Sequence, residues 1–290
     1  MSIVLSVKNL THTYNNNTPF AHNALSNVSF TVNSGEIVGI IGHTGSGKTT
    51  LVSHLNGLLK PTSGDIIIDG KNIWDDPKHI KEIRSLVGLV FQYPEYQLFE
   101  ETVYKDIAFG PKNLGLKGEE LHKRIVETCK TVDIDEKFFD KSPFELSGGE
   151  KRRVAIAGIM AMRPKVLVLD EPVAGLDPKG RNDVIKMIEE YRNTYNATVL
   201  IVSHNMENMS VLADKLLVMN GGKVSMFDTT ENVFKRGEEL RKIGLDTPII
   251  TKVFDRIREK GYIVPDNIFT VYDAVKYLSS VKVQGGETDV

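Results

Sequence analysis

Apolar positions along the chain fall into short runs rich in Val and Ile, separated by longer stretches with helical spacing. Residues 37–41, 166–169 and 199–202 are unbroken apolar runs, the pattern of strands covered on both faces. Such strands alternating with helices predict an α/β fold built on a mainly parallel sheet. Residues 64–70 read as a further strand entering a turn at Asp69-Gly70. Helices are predicted over 48–59, stopped ahead of Pro61, and over 119–133. Between 114 and 163 strand signals are sparse, which predicts a helical insertion. Gly221-Gly222 marks a hairpin turn.

Beyond that turn the character changes, and a boundary is placed near residue 225. Thr247 is expected to cap a helix with Pro248 at its first position and Gly261 just past its end. Ile249, Ile250, Val253, Phe254 and Ile257 then share one face, and a second helix from Thr270 groups Val271, Ala274, Val275 and Leu278. The first face fits packing on the main body and pairing with another subunit equally well. After Val283 the chain is expected to be loosely held.

Composition narrows the class. With 290 residues, 41% hydrophobic and 26% charged, the chain has room for one large domain and an appendage. A net charge of −2 leaves no cationic surplus for a phosphate backbone, so nucleic acid is disfavoured as the principal partner. The single cysteine, Cys129, cannot form an internal disulfide and reads as a small core residue, as in a reducing compartment. No apolar run approaches membrane-spanning length, and residues 1–10 lack the charge and apolar pattern of a signal peptide. The expectation is a soluble cytoplasmic protein whose membrane role, if any, comes through a partner.

Gly42-His43-Thr44-Gly45-Ser46-Gly47-Lys48-Thr49 fits G-x-x-x-x-G-K-[ST] between a predicted strand and a predicted helix, the context that motif needs. Its glycines let backbone N–H groups curl around a phosphate, and the helix points its positive end at it. Lys48 supplies charge for the β- and γ-phosphates, and the Thr49 hydroxyl can ligate Mg²⁺. The apolar run 166–169 ends in Asp170-Glu171. Asp170 is placed to hold Mg²⁺, directly or through water, and Glu171 to act on the attacking water as a general base or an orienting group. Leu146-Ser147-Gly148-Gly149-Glu150 precedes an amphipathic helix and offers a second anion site at a helix start.

These motifs together resemble the nucleotide-binding subunit of an ATP-binding cassette (ABC) transporter, from about residue 3 to residue 225. The resemblance implies a P-loop NTPase core of ABC type, with a mainly parallel sheet, a small antiparallel β part, a helical subdomain at about 93–163 and a small C-terminal helical segment at 226–290. It implies ATP and Mg²⁺ as ligands and a head-to-tail dimer, in which Ser147, Gly148, Gly149 and Glu150 of one subunit close over nucleotide held by the other. Tyr14 matches the aromatic residue that stacks on adenine, and the phosphate-binding run extends to Thr50. Gln92 matches the glutamine that reaches Mg²⁺ and the attacking water, Asp177 the interface aspartate, and His204 the histidine that contacts the γ-phosphate. Glu150 stands where many families have glutamine, and Val173 where threonine is frequent; neither removes a catalytic group.

Gln92-Tyr93-Pro94-Glu95-Tyr96-Gln97-Leu98-Phe99 gathers three aromatics and a leucine beside that glutamine. By composition, Leu98 and Phe99 either form a socket for a partner's helix, with Tyr96, or pack the helical subdomain. The run is similar to the energy-coupling factor transporters of prokaryotes, which import vitamins and transition metals. That resemblance implies a second ATPase subunit (a sister chain in preference to a copy), a transmembrane coupling subunit, and through it a substrate-binding membrane protein, with this chain peripheral on the cytoplasmic face of the cell membrane. It further implies that the segment from about residue 226 helps hold the two ATPases together. The rival reading is a soluble cassette ATPase without a transport role.

Overall fold

The computed structural model describes residues 2–76 and 80–284. Its strands are β1 (Ile3–Tyr14), β2 (His22–Asn33), β3 (Ile37–Ile41), β4 (Ser63–Ile68), β5 (Lys71–Asn72), β6 (Val87–Val90), β7 (Val166–Asp170), β8 (Thr198–Val202), β9 (Lys215–Asn220) and β10 (Lys223–Thr229). Among the described residues they form two sheets, β2-β1-β4-β5 and β10-β9-β3-β8-β7-β6. The first is antiparallel; in the second, β9, β3, β8, β7 and β6 run parallel and only β10 opposes its neighbour.

Alternation along the central strands builds two cores. Ile37, Ile41, Leu167, Leu169, Val199 and Ile201 face the helical side, whereas Val38, Ile40, Val166, Val168, Leu200 and Val202 face the antiparallel sheet. Burial on both faces is why these runs are apolar throughout. The helical insertion comprises Val103–Asn113, Gly118–Thr131 and Gly148–Met160, so it opens ahead of residue 114. The Thr102 hydroxyl starts the first of these by accepting from the Lys105 N–H. Cys129 is buried in the second, and burial pushes its thiol up to about 12.

Several boundaries differ from the sequence expectations. The helix expected over 48–59 ends at Leu55. Gly57 takes a left-handed φ of +67°, and the N–H groups of Gly57 and Leu58 turn back to the carbonyls of His54 and Ser53, closing the helix. The Gly221-Gly222 turn forms as expected, with φ of +52° and +74°, the type I′ geometry that matches strand twist. Residue 225 lies inside β10, so the sheet continues past the expected boundary, and Val233, Phe234 and Leu240 join the large core.

Thr247 does not cap the next helix. Pro248 occupies the cap position of Ile249–Glu259, and the Thr247 hydroxyl is buried without a hydrogen-bond partner. The expected apolar face divides as well: Phe254 packs with Ile268 and Ala274, while Ile249 and Val253 stay exposed. In Val271–Gln284, Ala274 is likewise buried, and Val271, Val275 and Leu278 are exposed. Phe269 ties this segment to the main core. The end of the chain past residue 284, expected to be loose, lies outside the described residues.

Candidate functional site

The loop from Gly42 to Gly47 leaves β3 at the sheet centre and enters the helix Lys48–Leu55. Gly42 is required by space, since a Cβ there would lie 2.4 Å from the Met219 carbonyl oxygen. Gly47 is required by conformation, with φ of +99°. Lys48 Nζ donates to the carbonyls of Gly42 (2.7 Å) and His43 (2.9 Å). The His43 ring bridges the Thr44 carbonyl and the Asn220 amide oxygen, linking the loop to the end of β9. Gly222 secures the other side, its N–H donating to the Ser46 carbonyl.

Asp170 ends β7 and Glu171 follows it, with β8 between β7 and β3, so parallel register delivers both carboxylates to the mouth of the Gly42–Gly47 loop. Burial, and then the neighbouring charge of Glu171, raises the Asp170 carboxyl above the usual aspartate range; Lys48 opposes this. Burial lowers the Lys48 ammonium, opposed by the charges of Glu171 and Asp170. Glu171 has φ of +49°, a conformation that non-glycine residues rarely adopt and that concentrates at functional sites. Its Oε1 lies 2.7 Å from His204 Nδ1 and accepts from the His204 backbone N–H at 3.0 Å.

A cavity of about 570 Å³ brings together Tyr14, Thr44, Gly45, Gly47, Lys48, Thr49, Thr50, Gln92, Asp170, Glu171 and His204. The Tyr14 hydroxyl lies 3.3 Å from Thr50 Oγ1, and the Tyr14 ring stands edge-on to His12 at 4.5 Å. His12 in turn pairs with buried His54 at 3.1 Å. Sequence reasoning missed this support and missed His22, Asn23, Ala24 and Gly222 in the cavity wall. Antiparallel pairing places Tyr14 opposite His22, a register that belongs to the folded sheet and that no local pattern announces.

Ser147, Gly148, Gly149, Glu150 and Asp177 do not line this cavity. Ser147 and Glu150 form a reciprocal cap: Glu150 N–H donates to Ser147 Oγ, and Glu150 Oε2 accepts from Ser147 N–H at 2.8 Å. Hydrogen bonds from the Ser147 side chain and then its backbone hold the Glu150 carboxyl below the usual range. Neither glycine takes a left-handed φ; a Cβ at Gly148 would meet nothing within 4 Å, and one at Gly149 only the tip of Arg153 at 3.8 Å. Among the described residues, nothing requires glycine at either position. Asp177 caps the helix Pro178–Tyr195 through Gly180 N–H at 2.7 Å and is exposed.

On the helical side, a groove of about 720 Å³ is lined by Arg84, Leu98, Phe99, Asp106, Phe109 and neighbours. Tyr96 is 84% and Phe99 59% exposed, but Leu98 is only 6% exposed and belongs to the main core. The Asp106 carboxylate pins the segment by accepting from the N–H groups of Phe99 and Glu100, both at 3.0 Å.

The family model described as ABC transporter matches residues 25–174. A protein of Caldanaerobacter subterraneus subsp. tengcongensis called energy-coupling factor transporter ATP-binding protein EcfA2 is 53% identical over 274 residues, covering 94% of this chain and 96% of its own. A protein of the same name from Clostridioides difficile is 53% identical over 283 residues, covering 97% and 98%. Among solved structures, cbiO1 of Clostridium perfringens, described as part of the ABC transporter complex cbiONQ, superposes with a TM-score of 0.75 at 38% identity, over 84% of this chain and 95% of that one. The cassette MJ0796, solved as a dimer bound to ADP and Pi, gives 0.69 at 30% identity, over 78% and 98%.

Proposed function

The chain belongs to the ATP-binding cassette transporter family, in its energy-coupling factor branch, and from that premise we propose how its residues divide the labour of an ATPase that drives transport. Lys48 and the loop from Gly42 to Gly47 hold the β- and γ-phosphates, and Tyr14 supports the adenine. Mg²⁺ fits here: a buried carboxyl disfavoured as an anion faces the same cavity as the Thr49 hydroxyl and Gln92. Among the described residues no three His, Cys, Asp or Glu form a cage, in keeping with an ion that takes few protein ligands and completes its shell with phosphate oxygens. Thr49, Gln92 and Asp170 would hold it; when bound, it neutralises charge on the transferring phosphate.

Glu171 accepts a proton from, or orients, the attacking water. With its Nδ1 committed to Glu171, His204 can donate to a γ-phosphate oxygen only through Nε2 of the imidazolium. Ser147, Gly148, Gly149 and Glu150 act in trans, closing over nucleotide on a second ATPase subunit, and Asp177 lies at that interface. One observation carries this reading: among the described residues no backbone crowds either glycine at this helix start, and a close approach from outside the chain would give their missing side chains a purpose. ATP stabilises the closed pair to the extent that it binds that state more tightly than the open one.

Tyr96, Phe99 and the groove beside them receive a transmembrane coupling subunit, through which a substrate-binding membrane protein is reached. No helix among the described residues is long and apolar enough to cross a membrane. In this reading the chain attaches to the cytoplasmic face through its contact with that subunit. The partner ATPase is a sister chain, and the exposed Ile249, Val253, Val271, Val275 and Leu278 supply a surface for holding the pair together. Purification from detergent-solubilised membranes tests this: a polytopic membrane protein and a second ATPase should co-purify, and the isolated chain should hydrolyse ATP far more slowly than the assembly. Recovery of the chain alone from intact membranes, with full activity, would refute it.

A further inference from the structure

Arg152 is a charged side chain buried to 3% exposure. Its guanidinium ties its own helix to two other segments. Nε and Nη2 donate to the two carboxylate oxygens of Glu95, each at 3.0 Å. Nη1 donates to the Ala174 carbonyl at 2.7 Å, with the Pro172 carbonyl at 3.5 Å, and the group lies over the Tyr93 ring at 5.7 Å. Each partner sits between residues with assigned work. Arg152 is little more than one helical turn past Ser147. Glu95 lies between Gln92 and Phe99, in the turn Pro94–Gln97. Ala174 lies between Glu171 and Asp177.

Burying such a pair is a poor way to gain stability, because desolvation offsets most of the attraction; well-packed apolar groups would serve as well. What the planar fork adds is orientation, since two parallel hydrogen bonds to Glu95 and one to Ala174 fix three backbones relative to one another. Tyr93, directly after Gln92, is held at φ of +57°, a conformation that persists only where the surroundings impose it.

We propose that Arg152 is a positioning residue, the junction through which a displacement of the Tyr96–Phe99 surface reaches both Ser147 and the segment from Glu171 to Asp177. It does not line the cavity that holds Lys48 and Glu171. Its role is to make the membrane-facing segment, the helix that Ser147 starts and the loop after β7 move together. The inference rests on the ATPase reading above.

The test uses the complex purified with its partner subunits. Arg152→Lys keeps a positive charge beside Glu95, but one ammonium cannot span both Glu95 oxygens and the Ala174 carbonyl. ATP affinity and KM should stay within about twofold while kcat falls about tenfold, with less substrate moved per ATP hydrolysed. Glu95→Gln, which keeps one acceptor for the fork, should lose less in the same direction. Unchanged kcat and coupling ratio in Arg152→Lys would overturn the proposal. So would losses that track falling ATP affinity and melting temperature, the mark of a structural role alone. A wild-type complex unable to hydrolyse ATP would overturn the functional reading itself.

Discussion

Glu171 Oε1 holds His204 at two points, the backbone N–H at 3.0 Å and the ring Nδ1 at 2.7 Å. The two residues lie just past the ends of neighbouring parallel strands, Glu171 one residue beyond β7 and His204 two beyond β8, so the last register pair, Asp170 with Val202, brings them side by side. It leaves the His204 ring largely exposed toward the cavity while the carboxylate is mostly buried. One oxygen of Glu171 is thereby occupied, and the other is the one free to receive a proton.

Glu171→Gln keeps the shape and the contact to the His204 N–H but removes the basic oxygen. In the assembled complex kcat should fall by about 10²–10⁴-fold. Nucleotide titration should show ATP binding retained, because the proposal assigns the phosphates to Lys48 and backbone N–H groups instead.

Gly148→Ala and Gly149→Ala separate stability from activity. A methyl group meets no backbone at either site, and alanine favours a helix over glycine by about 1 kcal/mol, so melting temperature should hold or rise. Hydrolysis by the complex should nonetheless drop about tenfold or more, if these positions approach a partner's nucleotide closely. Activity equal to wild type would remove the main argument for action in trans.

Asp170→Asn yields a pH prediction. Because the folded-state carboxyl is raised above its ordinary 3.8, its contribution to stability is fully present below that value and lost as pH rises through the folded pKa. At pH 7, without metal or nucleotide, Asp170→Asn should therefore melt higher than wild type, with the difference vanishing in acid. The same variant should lose Mg²⁺-dependent hydrolysis. Calorimetry in chelator across pH checks the first half, and steady-state assays the second.

Leu98 and Phe99 are adjacent but do different jobs. Leu98→Ala should cost about 2–5 kcal/mol of stability, as for other buried leucines. Phe99→Ser combined with Tyr96→Ser removes only exposed rings, and should leave melting temperature and ATP binding unchanged while transport by the complex is lost. Denaturant titration and uptake assays distinguish the two.

Much of this was legible along the chain because it rests on local chemistry. The apolar runs at β3, β7 and β8 announce strands buried on both faces, and the glycine-lysine loop between β3 and its helix announces a loop that shares one cavity with Asp170 and Glu171. What was hidden is what depends on distant contacts. The stop at Leu55 rather than 59 is an exception, a local signal passed over in favour of Pro61: Gly57 itself supplies the left-handed residue that closes the helix. Whether Leu98 turned inward depended on core residues far along the chain. Thr247 carries the composition of a cap, yet Pro248 holds the cap position. Arg152 is not singled out by any local pattern, because burial of its fork depends on Glu95 and Ala174 converging from other segments.

The central claim is tested most directly by the structure of the Glu171→Gln complex with ATP and Mg²⁺ bound. The account predicts Ser147 Oγ and the Gly149 N–H within hydrogen-bond distance of a γ-phosphate held by the phosphate loop of the opposing ATPase. Finding both remote from every nucleotide, with each triphosphate enclosed by a single chain, would contradict it.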